Sequence, residues 1–330
     1  MKEVLEYLFE GHSLTQKEAQ EVLTRIGQNY FSEIEISSFL TVYQMRRITP
    51  EEMAGFRNAL LDLCLAVDLS DFETIDVCGT GGDGKNTFNI STISSFVLAG
   101  AGFRVVKHGN FGVSGPVGSS NLFEQAGYRF SNDSRKLRRE VEEAGITFLH
   151  APLFHPAMKY VAPVRKTLRT KTFFNMLGPM INPAFPRYQL IGVYSPAVQD
   201  LYGQVYREQG NRCLIVHSLD GYDEISLTGR VRLLSGGREE FLEPATLGFD
   251  PVAPEALAGG KTVAAAASVF MELLSNRATP AQKNVVLANA AAGIRCFRPE
   301  TSWEACVAAA RESLESGKAL ARFKHLIDMQ

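Results

Sequence analysis

Several things are missing from this sequence, and each absence removes a class of function. No stretch reaches the roughly 18 consecutive apolar residues that a membrane-spanning helix needs. Neither sign of charge dominates: 34 Lys and Arg stand against 36 Asp and Glu, a net charge of −2. Such a balance gives no electrostatic footprint for nucleic acid or an anionic membrane. The 5 cysteines (Cys64, Cys78, Cys213, Cys296, Cys306) are odd in number, widely spaced and form no C-x-x-C pair. That excludes a disulfide framework or a zinc site and leads us to expect a reducing, cytoplasmic setting. The opening MKEVLEYLFEGHS carries three acidic residues and lacks the apolar stretch of a signal peptide. There is no G-x-x-x-x-G-K-[ST], no correctly spaced G-x-G-x-x-G after a strand, no H-E-x-x-H and no Ser-His-carboxylate pattern. What remains is a chain of 330 residues with 45% hydrophobic and 21% charged residues, ordinary for a globular protein. Its length suits one large domain with an appendage.

The most informative stretch runs from 73 to 127. Thr74 to Val77 reads as a short buried strand, followed by four glycines, Gly79, Gly81, Gly82 and Gly84. Asn89-Ile90-Ser91-Thr92 then opens an apolar run that reads as a helix. Glycine lets the backbone come close and turn its N–H groups inward, and a helix N-terminus adds a positive dipole end, so strand, glycine turn and helix make an anion site. The plan repeats: Arg104 to Lys107 as strand, His108 to Gly118 as glycine-rich loop, Ser119 to Ala126 as helix. Two such loops on neighbouring strands imply a ligand with more than one phosphate.

Residues 1–70 read as all-helical. Thr15 with Glu18, and Thr49 with Pro50 and Glu52, are capping boxes, the first before a helix ending at Gly27 and the second before one running to about Val67. Ile36, Phe39, Leu40 and Tyr43 mark a helix between them. These helices carry more apolar surface than so small a unit can bury alone, which points to packing on the rest of the chain or on a second subunit. From Asp71 the pattern alternates. Strands are expected at 74–77, 104–107, 146–149, 189–194 and 212–217, with helices near 91–101, 119–126, 133–145, 155–169 and 197–209. That alternation predicts a mostly parallel sheet covered by helices. Residues 224–243 read as strands around a Ser-Gly-Gly turn, 250–260 as a loop, and 262–275, 280–293 and 302–327 as helices.

Lys107 ends the second strand, where a cation faces the same crevice as the first loop and suits a phosphate. The loop after it reads as mobile when empty and ordered by ligand. Asp223-Glu224 reads as a surface loop after the strand 212–217, and two adjacent carboxylates are hard oxygen ligands suited to Mg²⁺. His155-Pro156-Ala157-Met158-Lys159 and Arg165 fall on one expected helix, with Phe174 to Pro179 an apolar turn behind it.

Taken together these elements resemble the anthranilate phosphoribosyltransferase family. Its G-T-G-G-D is Gly79 to Asp83, its N-x-S-T is Asn89 to Thr92, and its K-H-G-N is Lys107 to Asn110. Its H-P-A-M, P-V-R and F-N-x-L-G-P-x-x-N-P are His155–Met158, Pro163–Arg165 and Phe174–Pro183, and its D-E pair is Asp223-Glu224. The order is kept over essentially the whole chain. The resemblance implies a helical domain, residues 1–70 rejoined by about 160–185, beside an α/β domain over 71–330 of the nucleoside phosphorylase and phosphoribosyltransferase type. It implies a homodimer through the helical domain, an active site in the cleft between domains, and transfer of the phosphoribosyl group from 5-phosphoribosyl 1-pyrophosphate (PRPP) to the amine of anthranilate with Mg²⁺.

Residue by residue, the resemblance assigns Gly79, Gly82, Asp83, Thr87, Asn89, Ile90, Ser91 and Thr92 to PRPP. Lys107, His108, Gly109, Asn110, Phe111, Gly112, Val113, Ser114, Gly115 and Ser119 would complete the substrate contacts. Gly79, Asn110 and Arg165 would touch anthranilate, with His108 and Gly178 at the mouth of its site, and Ser91, Asp223 and Glu224 would hold magnesium. No side chain is expected as a general base, because the anthranilate amine is already a neutral nucleophile at pH 7. In one place the chain departs from the commonest family pattern: the usual arginine after K-H-G-N is Phe111 and the usual lysine of that loop is Pro116, so two positive charges are lost. Two rivals are a pyrimidine nucleoside phosphorylase, which needs no carboxylate pair for magnesium, and a non-catalytic nucleic-acid-binding relative, which should show basic patches and eroded loops.

Overall fold

The change of period near residue 70 marks a real change of architecture. The computed structural model describes residues 1–112, 117–207 and 212–330. The chain divides into two compact units, Met1–Val67 with Ala151–Phe185, and Asp68–His150 with Pro186–Gln330.

The first unit is helical: Lys2–Phe9, Gln16–Gly27, Glu33–Met45 and Pro50–Asp62, joined by short helices from the second segment. Capping boxes start three of these helices, at Thr15, Ser32 and Thr49. Glu52 does more than cap. It is fully buried and accepts from Leu14 N–H, Tyr43 O–H and Arg46 Nη1 at 3.0, 3.1 and 2.9 Å. A buried carboxylate needs that many partners to offset desolvation. The core is aromatic, with Phe56 stacked on Phe173 at 4.4 Å and both edge-on to Tyr43.

Two expectations fail here. The helix beginning at Pro50 ends at Asp62, not near Val67, because the next residues pair their backbone elsewhere: Leu65 N–H donates to Phe154 O and Val67 N–H to Pro183 O. The single helix over 155–169 is a 3₁₀ turn, Pro156–Tyr160, followed by a helix, Ala162–Leu168. Pro156 and Pro163 each lack an N–H donor, so one unbroken helix cannot form.

The second unit is built on one seven-stranded sheet in the order β3-β2-β1-β4-β5-β6-β7. Its strands are β1 (Thr74–Gly79), β2 (Arg104–Gly109), β3 (Ile146–His150), β4 (Tyr188–Gly192), β5 (Arg212–Ser218), β6 (Val231–Ser235) and β7 (Arg238–Leu242). β1 to β5 pair parallel, while β6 and β7 add antiparallel. The helix Ile90–Gly100 is buried nearly all round, and Phe96 meets Phe270 and Phe323 edge-on. The mostly parallel, helix-covered sheet expected from the alternation is therefore present.

Three boundaries differ. Residues 224–230 form no strand; β6 begins at Val231, because Ser218, Ser226 and Asn289 take the backbone groups of that turn. The expected helix over 302–327 is two, Trp303–Glu315 and Lys318–Asp328. Gly317, at φ 79°, makes the break, and the corner closes onto Gly100, where a Cβ would meet Ser313 and Ala319. The helix starting at Pro280 extends to Phe297.

Candidate active site

The strand order places a switch point between β1 and β4. The chain runs outward to one side through β2 and β3, then to the other through β4 and β5. In open α/β sheets ligands bind beyond the carboxyl ends of the strands at such a point. The first glycine loop leaves β1 there. Gly81 and Gly82 hold φ of 64° and 79°, successive left-handed conformations that turn N–H groups into a concave, anion-binding nest. Thr80 N–H donates to Gly192 O at the end of β4, 2.9 Å. On its far side the loop is held by Gly259 N–H to Asn86 O and by Phe88 N–H to Leu257 O, each 2.9 Å, with Thr87 bridging Ala258.

Asp223-Glu224 does not lie on a surface loop. Asp223 is 7% exposed, and its Oδ2 accepts from Gly81 N–H at 2.6 Å. A Cβ at Gly79 would strike the Asp223 carboxylate, and one at Gly192 would strike its backbone carbonyl. The acidic turn is therefore packed directly on the ends of β1 and β4. Burial pushes the Asp223 carboxyl up to about 7, helped by the Asp83 charge beside it. Burial, and then Asp223, push Glu224 well above the usual carboxylate range, while Lys107 and the Ser91 backbone N–H oppose the rise.

Lys107 is 2% exposed. Its Nζ donates to Val77 O at 2.6 Å and to Ser91 Oγ at 3.3 Å. Ser91 and Thr92 open the helix Ile90–Gly100, whose cap residue Asn89 does not cap it. Instead Asn89 Nδ2 donates to Val117 O at 3.2 Å, reaching the end of the second loop. The structure thus brings together Gly79, Asp83, Ser91, Lys107, Asp223 and Glu224. Three acidic side chains, Asp83, Asp223 and Glu224, gather there, and burial and mutual repulsion favour the protonated form of Asp223 and Glu224. A divalent cation such as Mg²⁺ would replace those protons, and the donors are all hard oxygens that suit it. Among the described residues no three His, Cys, Asp or Glu side chains form a metal cage on their own. An ion here would complete its shell with water and substrate oxygens, the habit of Mg²⁺.

The second loop starts where β2 ends. His108 is buried, and its N–H donates to Asp76 Oδ1 at 3.2 Å. Gly109 lies against Ser119 and Phe148, with no room for a Cβ. Asn110 O accepts from Ser120 N–H at 3.1 Å. Asn121 gathers both ends of the loop, its Oδ1 accepting from Gly112 N–H at 3.1 Å and Gly118 N–H at 2.9 Å. Phe111 is 38% exposed and sits edge-on to His150, which stacks on Phe130 at 4.3 Å. Val113, Ser114, Gly115 and Pro116 lie outside the described residues, and with them the middle of the loop expected to order on binding.

In the helical unit, Arg165 is half-buried. Its Nη2 donates to Asn175 Oδ1 at 3.3 Å, and its guanidinium lies 5.5 Å from the centre of the Phe174 ring. Among the described residues no carboxylate pairs with it. Gly178 begins a 3₁₀ turn, and a Cβ there would meet open space.

Sequence reasoning missed Asn121, His150, Asn289 and Gly192. Asn289 had a legible signal, an amide inside an alanine-rich apolar helix, which has to find a partner. His150 and Gly192 had none before the strand register was known. The five cysteines are all free. Among the described residues no helix is long and apolar enough to cross a membrane.

Comparison with known proteins follows the same division. Residues 2–64 match the model of the glycosyl transferase family, helical bundle domain, and residues 71–320 that of the glycosyl transferase family, a/b domain. The chain belongs to this glycosyl transferase family, and within it to the anthranilate phosphoribosyltransferases. Curated proteins of that name from Cytophaga hutchinsonii and Bacteroides thetaiotaomicron are each 50% identical to it, the first covering 99% of this chain and all of its own, the second 100% and 99%. The crystal structure of anthranilate phosphoribosyltransferase from Thermus thermophilus superposes with a TM-score of 0.92 at 32% identity, over 98% of each chain. That of the Saccharomyces cerevisiae enzyme in complex with PRPP and Mg superposes at 0.91 with 27% identity, over 98% of this chain and 96% of the other.

Proposed function

We propose that this chain transfers the phosphoribosyl group of PRPP to the amine of anthranilate, releasing pyrophosphate. One observation carries the reading: the acidic turn, Ser91 and Lys107 meet at the glycine nest of the switch point. In the reaction the C1–O bond breaks and its electron pair leaves with pyrophosphate. The anthranilate nitrogen forms the C1–N bond with its lone pair, and the proton it sheds passes to water. The breaking bond gives C1 oxocarbenium character, as in glycoside chemistry.

The start of the helix Ile90–Gly100 and Lys107 would receive the phosphates. A lysine ammonium has three N–H donors; Val77 O and Ser91 Oγ engage two, leaving one for a substrate oxygen. Asp223, Glu224 and Ser91 would hold Mg²⁺, with Asp83 beside them. Bound there, the ion would neutralise charge on the departing pyrophosphate. Gly79, Gly82, Thr87, Asn89 and Thr92 would line the PRPP site, and the backbone from His108 to Gly115, with Ser119, the rest of it. Arg165 would pair with the anthranilate carboxylate, fork to carboxylate, and its lack of a carboxylate partner among the described residues supports this. No general base is needed, because alignment and charge stabilisation account for the chemistry.

The test is loss of anthranilate fluorescence on mixing protein, PRPP, anthranilate and Mg²⁺. Loss that requires all four supports the reading; no loss with folded protein overturns it. Arg165→Ala should raise the KM for anthranilate more than that for PRPP, and the reverse order would undo its assignment.

We also propose that the helical unit forms a homodimer. Ile34, Met45, Phe9 and Tyr30 are 80%, 86%, 68% and 66% exposed, and a groove between the first and third helices is lined by Leu8, Phe9, Val42 and Met45. Light scattering of Ile34→Asp/Met45→Asp should report monomer where the parent reports dimer.

A further inference from the structure

One contact to the acidic turn belongs to no step of the reaction. Asn289 lies mid-way along the helix Pro280–Phe297 and is fully buried. Its Oδ1 accepts from Ile225 N–H at 3.0 Å, and its Nδ2 donates to Ile225 O and to Val285 O, each at 2.9 Å. The carboxamide therefore grips both backbone groups of the residue directly after Glu224. Burying an amide is unfavourable unless its hydrogen bonds are all made, and the neighbours of Asn289 on its helix, Leu287, Ala288, Ala290 and Ala291, are apolar. An aliphatic residue would suit the packing better, so the amide is retained for what it holds. A second buried polar side chain works from the other side. Ser218 Oγ donates to Glu224 O at 2.6 Å and accepts from Ser226 N–H at 3.3 Å. The two peptide groups flanking Ile225, the first of them shared with Glu224, are thus fixed from the sheet and from the helix.

We infer that Asn289 is a positioning residue for the divalent cation, holding the Ile225 backbone so that the Asp223 and Glu224 carboxylates converge on one point beside Ser91. The inference rests on the reading of those carboxylates as cation ligands. Side chains that orient metal ligands commonly contribute 10–100-fold to metal affinity.

The experiment measures Mn²⁺ affinity by electron paramagnetic resonance with PRPP present, together with the Mg²⁺ dependence of turnover, the anthranilate KM and the melting temperature. Asn289→Leu should weaken Mn²⁺ binding about 10-fold or more and raise half-saturating Mg²⁺ in parallel, while the anthranilate KM stays within about two-fold. Ser218→Ala, which leaves the helix packing untouched, should weaken Mn²⁺ about 3-fold. A folded Asn289→Leu with parental Mn²⁺ affinity overturns the inference, even if it melts earlier. Should Asn289→Leu fail to fold, unchanged Mn²⁺ binding in Ser218→Ala overturns it instead. Asp223→Ala/Glu224→Ala is the reference. Loss of Mn²⁺ binding there with none in Asn289→Leu rejects only Asn289's role. Parental binding in the reference rejects the ligand assignment, and this inference with it.

Discussion

The two glycine loops end neighbouring strands but are held in different ways. The first is fastened by distant parts of the chain: the end of β4 through Thr80, the acidic turn through Gly81, and residues 257–259 through Asn86 and Phe88. The second is fastened by a few single side chains, Asn89 holding Val117 at its end. Asn121 ties its two ends, and His150, bonded to Ser120 at 2.8 Å, is packed by Phe111 and Phe130. A loop fixed by the whole sheet can keep buried like charges in place before any ligand arrives. A loop fixed by a few neighbours can adjust its grip without disturbing the core. Damage to the first should therefore cost fold and chemistry together, and damage to the second mainly phosphate affinity.

The sharpest way to break that comparison is one steric insult applied in both places. Gly192→Ala drives a Cβ into the Asp223 carbonyl, a backbone atom of the buried acidic turn. We expect a loss of about 2 kcal/mol or more in denaturant unfolding, as for overpacking in a core, and turnover lowered by orders of magnitude. Gly118→Ala drives a Cβ into Gly112 N and Asn110 O, backbone atoms too, but ones belonging to the loop itself. Because the loop can give, its stability change should stay below about 1 kcal/mol, with the loss appearing as a raised KM for PRPP. Equal stability losses in the two variants would erase the distinction.

Next in size is Asn121→Ala. It leaves Gly112 and Gly118 N–H without their shared acceptor, but both are accessible enough for water to replace it, so stability should fall by no more than about 1 kcal/mol. The KM for PRPP should rise about 10-fold and that for anthranilate far less. Steady-state kinetics with each substrate varied would expose an equal rise in both, which would mean that Asn121 supports the site as a whole. Phe111→Ala acts on the same loop by removing an edge-to-face contact, each worth about 1 kcal/mol. Its KM for PRPP should rise only a few-fold.

How far the sequence revealed these differences depended on the range of the interactions. Capping boxes at Thr15 and Thr49, the strand–glycine–helix pattern at 74–101 and the Asp223-Glu224 pair are local signals, and each was legible. The depth of the acidic turn was not, since it depends on β4 lying beside β1, a pairing of residues more than a hundred positions apart. An adjacent acidic pair after a strand looks like solvated surface until Gly79 and Gly192 are seen to leave room for it. The break at Gly317 and the early end at Asp62 were hidden because apolar periodicity continues through both: past Asp62 the backbone pairs with Phe154 and Pro183, far along the chain, and at Gly317 the corner packs on Gly100. The stand-in for the missing arginine was equally non-local. Phe111 has no meaning in sequence until β3 brings His150 alongside.

That aromatic stand-in supplies the smallest of the expected effects, one carried by pH. His150 lies at the end of β3, with Ser120 Oγ on Nδ1, Phe130 stacked on its face and Phe111 at its edge. Burial lowers its pKa from the ordinary value, against a weaker upward pull from Glu124. The folded protein therefore keeps the ring neutral where the unfolded chain begins to bind a proton. Between the two values the unfolded state holds more protons, so the stabilisation from His150 is fully present above about pH 6.5 and is lost as pH falls below it. His150→Gln keeps a polar group beside Ser120 but cannot titrate. Denaturant midpoints of parent and variant should accordingly be furthest apart at pH 7 to 8 and draw together toward pH 5, while the Asp223 carboxyl at the first loop titrates in both proteins and cancels from the difference. A gap that stays constant across that range would mean that the ring is hydrated in solution, and that Asn121 and Asn89 anchor the second loop without it.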